Sequence, residues 1–156
     1  MRVAGAADPV DIRAWQRLSA TVTTSGRLQE GDPARLAAIG VRQVINLAPE
    51  NHPEALPGEA ARMAGLGIAY THAPVPFDAP RRAHYEAFRD ALDRAEGPVH
   101  VHCIMNYRVS AFFYLRDLEC GVDESAARER MARVWDPFAS TEPAARPWAD
   151  LLQSPT

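Results

Sequence analysis

The chain has 156 residues, 47% of them apolar and 24% charged, with a formal net charge of −3 at neutral pH. That profile fits one globular domain spanning residues 1–156, and the lack of a basic field argues against nucleic acid or a membrane surface as a partner. Two cysteines are too few for a disulfide framework and no apolar run approaches the ~20 residues of a membrane span, so the expected location is the cytoplasm.

All 17 basic residues are arginine, so an arginine carries information only where spacing ties it to other groups. Residues 18–24 (LSATVTT) are β-branched enough for a strand, broken by Ser25-Gly26. Asp32-Pro33 reads as the N-cap and first position of a short helix with Leu36, Ala37 and Ile39 inward and Gly40 closing it. Residues 41–47 (VRQVINL) form the short apolar run of a buried parallel strand. A proline-rich loop over 48–58 leads to a short helix over 59–64 and a strand over 68–72 (IAYTH). A second proline-rich loop, 73–80, precedes a helix over 81–96 with Tyr85, Phe88, Leu92 and Ala95 on one stripe. The last strand is 99–102 (VHVH). A helix follows from Arg108 to Gly121, then another from an Asp123 cap to Trp135, stopped by Asp136-Pro137. Strands alternating with helices predict an α/β fold, a mostly parallel central sheet flanked by helices on both faces.

In such sheets, binding groups gather at the C-terminal ends of strands. The last strand delivers Cys103 into the turn CIMNYR ahead of a helix, where the helix dipole and free N–H groups favour a thiolate. The same backbone, from Ile104 through Met105, Asn106 and Tyr107 to Arg108, forms an anion cradle, and the Arg108 guanidinium adds a bidentate fork. Thiolate, amide nest and guanidinium together describe a site that cleaves phosphate esters. A strand-end cysteine is also commonly a buried small hydrophobe, but the spacing to Arg108 and Ser110 sets Cys103 apart. Cys120, before Gly121, reads as packing.

Cleavage leaves an oxyanion that an acid must protonate. Asp78, on the loop after the 68–72 strand, can serve, or it can cap the helix that follows. Asp136 is the alternative acid, or the stop of its own helix. His102 is placed to order the cysteine loop by hydrogen bonding. His100 and His102 share a strand face, but no third ligand stands at metal-binding spacing, so no metal is assigned and no cofactor is needed. Arg81-Arg82 reads as a solvated helix face.

The segments SGRLQ, VINLAPE, HAPVPFDAP and VHCIMNYRVSAF, with the helices after them, resemble the cysteine-dependent protein tyrosine phosphatases, specifically the compact dual-specificity-like group of bacteria. They cover roughly residues 18–136 in the family's order. The resemblance implies a protein tyrosine phosphatase-like fold that hydrolyses phosphomonoesters, phosphotyrosine or phosphoserine/threonine in proteins among them, through a cysteinyl-phosphate. It implies Cys103 as nucleophile, Arg108 as the loop arginine, Asp78 as the acid of the mobile loop, and Ser110 as the hydroxyl that assists the departing thiolate. The implied partner is a phosphorylated protein or a small phosphomonoester.

The family pattern puts five residues between cysteine and arginine, and this chain has four. Either the loop is one residue shorter, which moves Ser110 along the helix away from the thiolate, or the arginine alone has shifted. An oxyanion needs its guanidinium, which favours the shorter loop with Arg108 pointing inward. Rhodanese-like sulfurtransferases resemble the site with a CxxGxR loop, Asn106 standing at that glycine. Sulfur transfer through a Cys103 persulfide and phosphate binding without turnover are therefore the alternatives.

Overall fold

The computed structural model describes residues 5–153. Its sheet has five strands: β1 (Gln16–Arg17), β2 (Val22–Ser25), β3 (Gln43–Asn46), β4 (Ala69–His72) and β5 (Val99–His102), in the order β1-β2-β5-β3-β4. All neighbours run parallel except β1, which pairs antiparallel with β2. The expected strand over 18–24 is thus corrected. The Leu18 and Ser19 N–H groups both donate to the Val22 carbonyl, closing a tight turn, so the strand begins only at Val22.

Alternation along β3 separates two cores. Val44 packs with Leu36, Ile39, Met63 and Ile68 under α1 (Asp32–Ala38) and α2 (Glu59–Ala64). Ile45 packs with Phe88, Phe112, Met131 and Trp148. Those residues come from α3 (Arg82–Arg94), α4 (Tyr107–Glu119), α5 (Glu124–Ala132) and α6 (Arg146–Gln153). Helices therefore cover both faces, and β5, between β2 and β3, carries its C-terminal end to the middle of the molecule. No helix among the described residues is long and apolar enough to cross a membrane.

Three local expectations change. Gly31, not Asp32, caps α1, while the Asp32 carboxylate accepts the Gln29 N–H at 2.7 Å and pairs with Arg35 at 3.0 Å. Helix α5 stops at Ala132, because the Val134 and Trp135 N–H groups both turn back to the Met131 carbonyl. Cys120 is exposed rather than packed, since α4 ends beneath it.

Candidate active site

Cys103 follows β5 directly and is fully buried, its N–H donating to the Ser25 carbonyl at 3.4 Å. The next turn of chain is pressed against the end of β2. A Cβ on Gly26 would lie 2.5 Å from the Ile104 carbonyl oxygen, so only glycine fits there. The Arg27 N–H donates to that same oxygen at 2.9 Å. Asn106 then takes a left-handed conformation (φ 66°), which asparagine tolerates better than most residues. Its Nδ2 donates to the Ala14 carbonyl at 2.9 Å and to Thr24 Oγ1 at 3.1 Å, and α4 begins at Tyr107.

Arg108 therefore sits in the first turn of α4 and is buried, close enough to Cys103 for the two groups to interact electrostatically. Its Nε donates to the Val75 carbonyl at 2.7 Å, and its guanidinium carbon lies 5.1 Å from the centre of the Phe77 ring. Burial lowers the guanidinium pKa below its ordinary value, with Cys103 acting in the opposite sense. Within the short loop, cysteine and arginine converge.

Ser110 behaves differently. Its hydroxyl donates to the Tyr107 carbonyl one turn back at 3.2 Å, and its flank lines a small cavity with Gln16, Leu18 and Thr24. Its bond to its own helix, rather than to Cys103, is the arrangement the shorter loop implies. Met105 is exposed and, with Ala14, Tyr107 and Arg133, walls a shallow cavity of about 260 Å³ outside the loop.

Asp78 lies on an exposed turn and has no hydrogen-bond or ionic partner among the described residues. It does not cap α3. Arg81 holds that position, its N–H donating to His84 Nδ1 at 3.0 Å. The turn is anchored one residue earlier, where Trp148 Nε1 donates to the Phe77 carbonyl at 2.8 Å. The Phe77 ring leans on Tyr107, Trp135 and Trp148, with centroids 5.6–6.3 Å apart. Asp136 is engaged on both oxygens, by Arg128 Nε and by the Phe138 N–H, each at 3.0 Å. Arg82 is tied to Glu119 at 3.0 Å, as a surface helix face would be.

His102 Nδ1 lies 3.2 Å from the Cys103 carbonyl, and its Nε2 lies 2.5 Å from the buried Glu59 carboxylate. The sequence gives no hint of Glu59, because an acid at the start of a helix reads as a simple dipole partner. His100 has both ring nitrogens occupied, by Thr23 Oγ1 and Ser25 Oγ at 2.8 Å each, so neither nitrogen is free to bind a metal. Burial, and secondarily His102, hold its pKa well below 6.5.

The family described as "Beta-lactamase hydrolase-like protein, phosphatase-like domain" matches residues 14–119. A beta-lactamase hydrolase-like protein of Agrobacterium fabrum is 28% identical over 102 residues, which are 64% of this chain and 24% of that protein. The chain thus spans about a quarter of the length of that curated relative. A protein of Shewanella putrefaciens CN-32, provisionally assigned as a phosphatase, is 32% identical over 95% of this chain and 94% of its own, with a TM-score of 0.80. The fold is also that of P. aeruginosa TpbA, solved in complex with phosphotyrosine, at 21% identity over 89% of this chain and 82% of TpbA and a TM-score of 0.69. On these grounds the chain belongs to the phosphatase-like domain family of the beta-lactamase hydrolase-like proteins, with the protein tyrosine phosphatase fold.

Proposed function

We propose that the chain hydrolyses phosphomonoesters through a cysteinyl-phosphate. The observation that carries this reading is the buried Arg108 at the head of α4, close enough to the buried Cys103 at the end of β5 to interact with it electrostatically. The Cys103 thiolate attacks phosphorus while the amides from Ile104 to Arg108 and the Arg108 guanidinium hold the phosphoryl oxygens. The ester P–O bond breaks, and its oxygen leaves with the proton of Asp78. The Asp78 carboxylate then takes a proton from water, hydroxide oxygen bonds phosphorus, and the thiolate departs. No cofactor enters the cycle.

Aryl phosphates, phosphotyrosine first, are the proposed substrates. Phe77 and Tyr107 supply aromatic surface beside Arg108, and TpbA, of the same fold, binds phosphotyrosine. A reducing cytoplasm would keep Cys103 reduced and is the proposed location. The test is turnover of 4-nitrophenyl phosphate and phosphotyrosine peptides by wild type and Cys103→Ser. Loss of at least nine-tenths of activity in a folded Cys103→Ser supports the reading, and persistence of activity sinks it.

A further inference from the structure

Three charged residues meet on the rim of the cysteine loop. The Glu54 carboxylate, from the loop between β3 and α2, receives two hydrogen bonds from Arg13, at 3.0 and 3.3 Å, and pairs with Arg27 at 3.1 Å. Arg27 is bound to the loop through backbone, and Arg13 through the neighbouring Gly26 and its own side chain. The Gly26 N–H donates to the Arg13 carbonyl at 2.7 Å, and the Arg27 N–H donates to the Ile104 carbonyl at 2.9 Å. Arg13 Nη1 also reaches the Ile104 carbonyl oxygen and Met105 Sδ, each at 3.4 Å, so the guanidinium lies along the outer wall of the cradle. Glu54 comes from a separate segment with no regular secondary structure.

This triad adds little to the stability of the fold. Its side chains are 32–37% exposed, and ion pairs that exposed contribute little to stability. Two cations against one carboxylate leave a net positive charge at the edge of a cradle built for an anion. Glu54 also has the chemistry of a ligand: an ionised carboxylate, held below its usual pKa chiefly by Arg13, on a forked donor.

We propose that Arg13 and Arg27 form a subsite for a second anionic group on the substrate, phosphate or carboxylate, which Glu54 fills until substrate displaces it. This inference rests on the phosphatase reading only for the position of the first phosphate at Cys103. The substrate class it names is a phosphomonoester bearing a second negative charge, whether a small bisphosphate or a phosphotyrosine flanked by an acidic residue.

The test is calorimetric binding to Cys103→Ser. One arm compares butyl phosphate with the bisphosphates of short linear diols; the other compares phosphotyrosine peptides with and without a flanking aspartate. The second anion should tighten binding about tenfold, as charge-assisted hydrogen bonds do. Adding Arg13→Gln and Arg27→Gln should cut that advantage below about twofold, and adding Glu54→Gln should enlarge it. A merely structural triad would shift both members of each pair equally and leave their ratio unchanged. An advantage confined to the diols identifies a small-molecule substrate, and one confined to the peptides identifies a protein. No advantage in either arm, or one that survives loss of both arginines, overturns the subsite. Thermal unfolding confirms that each variant is folded, and Glu54→Gln decides alone, by raising the ratio or not, if the arginine variants are unfolded. Turnover of 4-nitrophenyl phosphate by wild type is recorded alongside. If turnover is absent but the second-anion advantage remains, the phosphatase reading falls and the subsite stands.

Discussion

Asp136 commits both carboxylate oxygens to its own turn, one to Arg128 and one to the Phe138 N–H, whereas Asp78 commits neither. An acid that must give up and recover a proton in each cycle has to be free to meet substrate, which favours Asp78. Asp78→Asn is expected to lower kcat by roughly 10²–10⁴ on alkyl phosphates, whose leaving oxygen most needs the proton, measured in steady-state assays. Asp136→Asn should instead cost about 1 kcal/mol in urea unfolding while turnover stays near wild type, because it weakens a partly exposed ion pair. If Asp136→Asn proves the catalytically damaged variant, the acid has been misassigned. Arg108→Lys keeps a positive charge but loses the fork, one arm of which is fixed on the Val75 carbonyl. We expect kcat to fall by about 10²–10³, the effect of removing one oxyanion donor, and vanadate affinity to weaken with it.

The elements differ in how visibly the sequence announces them. Strand β5 is buried along its whole length and runs directly into Cys103, so a buried strand and a chemical residue meet in VHVHC. The cysteine-to-arginine spacing was legible for the same reason, and Asn106 is one of the few residue types suited to the left-handed turn that lets so short a loop close. Strand β1 was not legible. Two residues carry no periodicity, and only pairing with β2 makes them a strand. Ser110 keeps the offset that suits a longer loop, but in the shorter loop it turns away from the thiolate. With α4 starting at Tyr107, the hydroxyl falls one turn above a carbonyl of its own helix. Helix α6 was missed because it is short and follows a proline-rich stretch, yet it seats the fully buried Trp148 against Phe77. Trp148→Ala should therefore cost about 3–5 kcal/mol in urea unfolding. Trp148→Phe, which mainly loses the hydrogen bond to the Phe77 carbonyl, should cost about 1 kcal/mol and still reduce kcat by releasing the turn that bears Asp78.

Across the whole molecule, the sheet is closed at its centre by a neutral histidine. His100 bridges β5 to β2 through Thr23 and Ser25, and its pKa lies well below 6.5 because burial, then His102, disfavours the imidazolium. Since the folded pKa is depressed, the unfolded chain takes up a proton first as pH falls below about 6.5. The stability this group contributes is complete above that value and is lost progressively beneath it, by up to about 1.4 kcal/mol per pH unit. Urea unfolding between pH 7.5 and 5 should show that slope, and His100→Asn should flatten it while lowering stability at neutral pH. A slope unchanged in the variant would place the pH dependence elsewhere. The three tryptophans have a further consequence. Trp15 stacks on His100 beneath the cysteine loop, Trp135 stacks on Tyr107 at 4.5 Å, and Trp148 rests on Phe77. Every indole thus touches a residue of β5, the loop or the acid-bearing turn, so the protein's ultraviolet emission is a built-in optical reporter. An anion entering the cradle can be followed by intrinsic fluorescence, in stopped flow and without any label.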